Sequence, residues 1–305
     1  ENIFEGTIAG DGSLVLKLYF AKDVKGGGDD GDESDTVPDK YQVVFRYVAK
    51  GHGTVTGTTA ETRTFTDKDG SYTLPTPIVP NADVKAKADA GYHITGWADE
   101  AGEDLGAGIK PDFGKLTYNE DQTFTVTFME NDKVTIRYEA KAHGSVSRDS
   151  ETVAPATGTA KGSVAKPDAG YHFAGWYLGE EKVSDDLNFV PDRNADGIYE
   201  EATYTATFAP DEQTVYTVEY YYTNADGSYP EKATYTATRN GQTDTMVSVT
   251  EEDKQPTRNG YILDEAAGNV FEGTIAGDGS LVLKLYFAKD TQGGGEDGDE
   301  PDNIP

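Results

Sequence analysis

The chain has 305 residues, no cysteine and a formal net charge of −29, from 55 acidic and 26 basic residues. This charge disfavours nucleic acid, whose phosphates select clustered Lys and Arg, and it disfavours contact with an anionic membrane surface. The lack of cysteine excludes a disulfide framework, and no apolar run approaches the roughly 18 residues that a membrane-spanning helix needs.

A twenty-residue segment occurs twice in the chain. Residues 4–23 and 271–290 both read FEGTIAGDGSLVLKLYFAKD, and the match extends over 1–38 and 268–305 with 30 of 38 residues identical. Repetition at a fixed offset, here 267 residues, is typical of modular arrays. We therefore expect the chain to hold one period of a longer tandem array, together with the tail of the preceding period.

Residues 1–22 are predicted to be the closing hairpin of a module that begins in the preceding period. A Gly-rich turn at 10–12 is followed by an apolar alternation that ends at Phe20, which is typical of a half-buried strand. A single hairpin is at best marginally stable alone. We expect the segment either to fray or to pair with an exposed sheet edge of another chain.

Two acidic, glycine-rich segments at 23–39 and 290–305 are predicted linkers. Each contains three consecutive glycines and several Asp and Glu residues, and neither shows an apolar periodicity. We interpret them as solvated spacers that their charge extends, in preference to calcium sites.

Residues 40–131 and 132–213 are two copies of one module. The matching segments are VVFRYVAKGHGTVT at 43–56 with VTIRYEAKAHGSVS at 134–147, and DAGYHITGW at 89–97 with DAGYHFAGW at 168–176. β-Branched and aromatic residues suit a pleated surface, so we predict strands in both copies. In the first copy these strands lie at Tyr41–Val48, near 91–97 and at Thr123–Met129.

Residues 214–289 form a third module of a different kind. It opens with TVYTVEYYYT, carries an Asn-Gly hairpin signal at 240–241 and closes with the duplicated segment. No long amphipathic helix is predicted anywhere, and short helices around 153–165 or 250–256 are left open. The fold class is therefore mostly β, or α+β at most.

The first two modules resemble the Listeria–Bacteroides repeat, also called the internalin B-repeat. The resemblance rests on the opening strand, the His-Gly-Ser/Thr-Val turn, the Gly-Tyr-His-x-x-Gly-Trp core and the closing Thr-x-Thr-x-Phe strand. Residues 214–289 resemble a mucin-binding-protein (MucBP-type) repeat in Tyr-Thr-Val-x-Tyr-Tyr-Tyr, Gly-Gln-Thr-x-x-x-Val-Ser-Val and Gly-Tyr-Ile-Leu. These resemblances imply tandem small β-grasp (ubiquitin-like) domains, arranged as beads on a string, in a bacterial surface protein.

The clearest metal pattern is Asp192-x-Asn194-x-Asp196-Gly197, which matches the start of an oxygen-rich calcium loop. The twelfth position of such a loop is Thr203 where an EF-hand has Glu, so Glu200 or Glu201 would have to close it in another geometry. A polar hairpin turn explains the same residues without a metal. We keep Asp192, Asn194 and Asp196 as the predicted calcium ligands, and expect no other cofactor.

All four histidines fall at equivalent positions in the two related modules: His52 with His143, and His93 with His172. Imidazole is a common ligand of transition metals, but two histidines without cysteine make an incomplete shell. Copying of a structural domain accounts for the recurrence equally well.

Trp97 and Trp176 end the two Gly-Tyr-His-x-x-Gly-Trp motifs. An exposed Trp would suit a sugar-stacking platform in a mucin-binding protein. A Trp that closes an apolar strand in a small domain is more often its largest core residue, and we favour the core.

No Ser–His–Asp constellation stands out, and neither resemblance implies catalytic residues, so we expect no enzyme. The expected function is a structural stalk of an extracellular, cell-wall-anchored or surface-exposed adhesin, whose partners are neighbouring repeats of the same polypeptide. One alternative is a module that binds mucin glycans or a host surface protein. A second is a filament subunit assembled by strand addition through residues 1–22, which predicts a displaced closing strand or an open sheet edge in module three.

Overall fold

The computed structural model describes residue 37 and residues 39–291. The predicted hairpin at 1–22, and most of the predicted linkers at 23–39 and 290–305, lie outside these residues. None of the helical segments in the described part has the length and hydropathy that a membrane crossing requires.

The described residues are almost entirely β-strand and loop, with one short 3₁₀ helix at Asp39–Tyr41. The strands of residues 40–131 are β1 (Gln42–Lys50), β2 (Gly53–Gly57), β3 (Ala60–Thr64), β4 (Val84–Ala88), β5 (Tyr92–Ala98) and β6 (Gln122–Glu130). Those of residues 132–213 are β7 (Val134–Ala140), β8 (Gly144–Val146), β9 (Ser150–Val153), β10 (Ser163–Pro167), β11 (Tyr171–Leu178), β12 (Glu181–Ser184), β13 (Asn188–Phe189) and β14 (Ala202–Pro210). Those of residues 214–289 are β15 (Thr214–Tyr222), β16 (Tyr235–Gly241), β17 (Met246–Ser248), β18 (Tyr261–Leu263), β19 (Glu272–Thr274) and β20 (Val282–Lys289).

The mostly-β prediction is confirmed, and the three strands predicted in module one correspond to β1, β5 and β6. Neither segment left open as a helix is helical: 153–165 contains the end of β9, a turn and loop, and the start of β10, and 250–256 is turn and loop. In the second of these segments, Pro256 cannot continue a helix because it lacks a backbone N–H.

Each module has a main sheet. In it, the strand that comes first along the chain and the strand that comes last lie side by side and parallel. The strand orders are β3-β1-β6-β5, β12-β11-β14-β7-β9 and β16-β15-β20-β18. The parallel pairs are β1 with β6, β7 with β14 and β15 with β20, and the flanking strands are antiparallel. Smaller sheets accompany them: β2-β4, β13-β10-β8 and β17-β19.

Apolar residues alternate along the central strands, so that one face of each sheet is buried. Phe45, Tyr47 and Phe124 form the core of module one around Trp97. In module three the duplicated segment supplies Leu283, Leu285 and Phe287, all with 0% exposure. The strand predicted from this alternation is β20, and it pairs with its neighbours β15 and β18. Of the two outcomes that the filament hypothesis allows, the displaced closing strand is not observed, and β16 and β18 are the edge strands of the main sheet of module three.

A buried tyrosine of the opening strand donates to a carboxylate in every module. Tyr47 Oη lies 3.3 Å from Glu61 Oε2, and Tyr138 Oη lies 2.7 Å from Glu151 Oε1. In module three Tyr220 Oη lies 2.6 Å from Asp253 Oδ1. Each carboxylate also accepts backbone N–H groups of a loop, so the pair fastens that loop to the sheet.

The chain divides into two compact units, which we describe separately. The first contains the described residues up to Lys133 together with Ala154–Gly158 and Arg193–Tyr199. The second contains Val134–Val153, Thr159–Asp192 and the described residues from Glu200 onward.

Candidate functional site

The two tryptophans are core residues. Trp97 is 1% exposed and Trp176 is 0% exposed. Each indole Nε1–H donates to the carbonyl of the residue eleven positions on, Gly108 at 3.1 Å and Leu187 at 3.3 Å. The core interpretation is confirmed, because side chains this deeply buried offer no face to a sugar.

Each histidine has a partner of equivalent kind in the two related modules. The ring of His52 stacks on Tyr92 at 4.2 Å, and that of His143 stacks on Tyr171 at 4.1 Å. His93 Nδ1 lies 2.9 Å from Asn131 Oδ1. These contacts account for the recurrence through the structure of the module. No group of three or more His, Asp or Glu side chains in the described part of the chain is placed to hold a metal ion.

The predicted calcium loop contains a tight turn. Asn194 Oδ1 accepts the backbone N–H of Asp196 at 3.0 Å and that of Ile198 at 3.1 Å. Gly197 has a φ of 77°, which the turn requires. The side-chain oxygen of Asn194, a predicted calcium ligand, thus accepts hydrogen bonds within the turn, as the hairpin alternative expects.

The boundary between the two units falls inside this loop, after Asp192. Within the second unit, the Asp192 charge adds to burial in raising the pKa of Tyr204. Within the first unit, the Arg193 guanidinium donates to the carbonyls of Pro155 and Gly158, at 3.4 and 2.6 Å. Calcium binding by Asp192, Asn194 and Asp196 stays a prediction.

The second unit contains a feature that the sequence did not point to, the junction between β14 and β15. Only three residues connect these strands. The backbone N–H of Asp211 donates to Gly170 O at 2.8 Å, and Thr243 N–H donates to Asp211 O at 2.9 Å. The connection is therefore bonded to loops on both sides of it.

Two glycines bring the backbones of modules two and three together at this junction. A Cβ on Gly170 would lie 2.2 Å from Gly277 Cα, and a Cβ on Gly277 would lie 2.1 Å from Ala169 O. Real Cβ atoms do not approach other atoms so closely. Gly170 also has a φ of 78°, a conformation that side chains rarely adopt. The contact can form only with glycine at both positions.

Tyr171 adds a side-chain contact beside the glycines. Its hydroxyl donates to the carboxylate of Asp244 in module three, and this hydrogen bond raises the tyrosine's pKa to about 12. Asp244 itself has a φ of 64° and donates its N–H to Ile275 O at 3.0 Å. His172 Nδ1 lies 2.9 Å from Asp211 Oδ1, next to this contact.

The first unit uses the equivalent residues at the end of β6. Asn131 N–H donates to Gly91 O at 2.8 Å, as Asp211 does to Gly170. Glu130 accepts the N–H groups of Ala156 and Thr157 at 2.7 and 2.8 Å. Hydrogen bonds from Thr157 lower the pKa of Glu130, and the bond from the threonine side chain contributes most. In both units, the residue that follows the last strand of the module thus donates its N–H to the carbonyl of a glycine.

The signal that could have pointed to these junctions is the repeated Asp-Ala-Gly-Tyr-His motif. Its glycines are Gly91 and Gly170, and the Gly277 turn belongs to the duplicated segment. Sequence reasoning assigned the motif to the module core, whereas the structure shows that its first half faces a neighbouring loop.

Residues 134–212 match the family model of the divergent InlB B-repeat domain. A comparison with curated proteins finds no match. The matched residues cover module two almost from end to end, which supports the internalin-type resemblance there. Repeats of this family are typical of bacterial surface proteins, which suggests extracellular exposure.

Proposed function

We propose that this chain is a non-enzymatic spacer of a bacterial surface adhesin or fibre, in which small β-domains project a more distant binding region. The observation that carries the proposal is the junction in the second unit. A three-residue connection and a glycine-to-glycine contact restrict the freedom of modules two and three, as a spacer requires. The net charge of −29 would keep neighbouring stalks apart.

We infer that module one is a second repeat of the type matched by module two. The two share the parallel central strands, a tryptophan donating to the carbonyl eleven residues on, and a buried Tyr–Glu pair. Both also have a register shift at the glycine of the Gly-Trp pair, at Gly96 and Gly175.

We infer that all three modules are variants of the β-grasp arrangement. Their parallel first and last strands at the centre of a mixed sheet support this. Module three has the same order as module one, with β18 shorter than the corresponding β5. For that module we keep the MucBP-type assignment as our proposal.

The spacer proposal is tested by replacing Gly170. Because the chain has no cysteine, Ser150→Cys and Thr236→Cys give two unique sites for spin labels, one in each module. We expect a narrow distribution of label-to-label distances in the parent and a clearly broader one after Gly170→Ala.

Gly179→Ala is the matched control. Gly179 also has a positive φ, of 62°, but a Cβ there would meet no atom within 4 Å. Gly179→Ala therefore introduces backbone strain, as Gly170→Ala does, but disturbs no contact between modules. A broad distribution in the parent chain, or equal broadening by both variants, would contradict the spacer proposal.

A glycan-binding role for module three is the second candidate, and one residue favours it. Tyr235 is 56% exposed on the edge strand β16, whereas Tyr216, Tyr220, Tyr221 and Tyr222 are all buried. An exposed ring on an edge strand can stack on a sugar. Tyr235→Ala should then abolish mucin retention while Tyr72→Ala, an exposed tyrosine of module one, leaves it unchanged. Equal retention by the parent and both variants would exclude this role for Tyr235.

A further inference from the structure

Module three ends in an arrangement that modules one and two also contain. The N–H of Asp290, the residue after β20, donates to Gly260 O at 2.9 Å, and the equivalent bonds to Gly91 and Gly170 are both 2.8 Å. Gly260 has a φ of 75°, against 79° and 78° for the other two glycines, and a tyrosine follows each of the three. We call this Gly-Tyr end of a module its tail.

The tails of modules one and two are covered by the module that follows. A Cβ on Gly91 would lie 3.0 Å from Ala156 Cβ and 3.1 Å from Ile198 Cγ2, and the contact at Gly170 described above is closer still. Gly91 is buried, whereas Gly260 is exposed. A Cβ on Gly260 would meet none of the described residues within 4 Å. The tail of module three is therefore formed but uncovered within the described part of the chain.

The covering residues come from the same end of each module. In module two, Ala156 follows β9 and Ile198 precedes β14; in module three, Asp244 follows β16 and Gly277 precedes β20. β9 and β16 are the edge strands beside the first strand of their module, and β14 and β20 are the last strands. We call the two loops at these positions the head of a module. In module one, these loops follow β3 and precede β6.

The head of module one is exposed. All residues of 66–72, in the loop after β3, are exposed, and a Cβ on Gly70 would meet no described residue within 4 Å. The corresponding loops of the other modules are covered in part, since Pro155 is buried and Thr243 is 1% exposed. The described residues thus contain two tail-to-head contacts, together with one exposed tail and one exposed head.

We propose that the tail of module three binds the head of module one in a second copy of the chain. This contact continues the tail-to-head pattern of the two existing junctions. Because it joins two different surfaces, it is heterologous, and it generates open chains of molecules unless the rotation closes a ring. The inference goes beyond the spacer role, since it adds association between chains.

Two observations favour a separate molecule with an acidic head. Modules one and two deliver their neighbour through connections of three residues, whereas β20 is followed in the sequence by the Gly-rich segment at 290–305. Two residues before the glycine, the covered tails both have Asp, whereas module three has the exposed Arg258. The head loop of module one carries Asp67 and Asp69, both exposed, whose charge is complementary to this arginine.

The covered tails benefit from their short connections, which give an effective concentration in the millimolar range. The contact between two copies has no such connection. We therefore expect it to form only at high protein concentration.

The first test is sedimentation of the full chain at increasing protein concentration. Gly260→Asn adds a side chain to the tail, and asparagine tolerates a positive φ better than most residues do. Gly179→Asn is the matched control, since Gly179 also has a positive φ and open space around it but lies in module two, outside the proposed contact. We expect the parent and Gly179→Asn to associate alike, and Gly260→Asn to associate more weakly by roughly tenfold. A parent chain that stays monomeric over the whole range, or two variants that behave alike, would overturn the proposal.

The second test exchanges the charges of the two surfaces. Arg258→Glu reverses the charge of the tail, and Asp67→Lys/Asp69→Lys reverses that of the head. Each variant alone then has like charges on both surfaces and should stay monomeric, whereas an equimolar mixture of the two should associate as the parent does. A mixture that stays monomeric would overturn the pairing of tail with head.

All three positions in the charge exchange are exposed, so we expect both variants to fold. Near-ultraviolet circular dichroism of each variant checks this and separates a failed contact from a misfolded chain. The label distances at Gly170 report on the spacer role independently of this result.

Discussion

In modules two and three, a buried tyrosine and a carboxylate fasten a loop to the main sheet, but the carboxylate has different partners in each module. In module two, Tyr138 donates to Glu151, which also accepts the N–H groups of Lys161 and Gly162. In module three the acid is Asp253, whose side chain is only 5% exposed, and Arg239 forms an ion pair with it. The more deeply buried carboxylate, Asp253, is paired with a cation, whereas Glu151 is satisfied mainly by N–H and O–H donors.

The difference shows how burial sets the requirements of a charged group. Burial opposes ionisation of both acids, but hydrogen bonds outweigh it and lower both pKa values. For Asp253 the donors are Arg239, Tyr220 and Thr250, and they lower the pKa far below its ordinary value of 3.8. A charge removed from water needs a partner and full hydrogen bonding, or it destabilises the fold.

Removing the Asp253 carboxylate should have the largest effect. Asp253→Ala leaves the Arg239 guanidinium, 29% exposed, without its partner, and also removes the acceptor of the Tyr220 hydroxyl. We expect a loss of about 3 kcal/mol in the local free energy of unfolding. Hydrogen exchange at the β15 and β16 amides measures it.

Asp226→Ala is the control for this variant, because Asp226 accepts hydrogen bonds from Ser228 in an exposed turn of the same module. It should leave β15 protection unchanged. If Asp253→Ala also left it unchanged, the ion pair would not be what holds the 250–253 loop.

Glu151→Gln should have an intermediate effect of about 1 kcal/mol, since the amide keeps some hydrogen bonds and loses the charge. The effect should depend on pH. The folded-state pKa of Glu151 is below its ordinary value of 4.5, so the charge stabilises module two above about pH 4.5. That stabilisation is lost as the pH falls through the folded-state pKa.

Denaturation followed by Trp176 emission in a Trp97→Phe background isolates module two. The decline in stability below pH 4.5 should be shallower in Glu151→Gln than in the parent. Parallel curves would mean that another acid governs the acid sensitivity of this module.

Asp211→Asn should have the smallest effect. It converts the His172 pair of module two into the amide pair that His93 makes with Asn131 in module one. The side chains of His172 and Asp211 are 57% and 42% exposed, so we expect a change within about 0.5 kcal/mol. The same Trp176 measurement checks it, and a larger loss would show that the charge, and not the backbone of residue 211, fastens the junction.

The strands and the core residues were predictable because their signal is local. Alternation in the duplicated segment indicated β20, and the position of Trp176 at the end of an apolar strand indicated burial. The smaller sheets were harder, because strands of two or three residues such as β13 and β8 carry almost no periodicity.

The junction and the buried ion pair could not be predicted, because they join residues distant in sequence. Gly170 and Gly277 signal only two turns, and the sequence does not state that these turns touch. Asp253 and Arg239 are fourteen residues apart, and neither stands out among 55 acidic and 26 basic residues. Such pairs are fixed by tertiary packing alone.

The parallel arrangement of each module's first and last strands has a mechanical consequence. A pull on the two ends of a module loads its central strand pair along the strand direction, with the ends drawn in opposite senses. The six registered residue pairs of β1 with β6, and the six of β15 with β20, then share the load in shear. An antiparallel terminal pair would instead peel apart one bond at a time. We therefore expect each module to resist traction until its central bonds break together, which suits a segment held under tension.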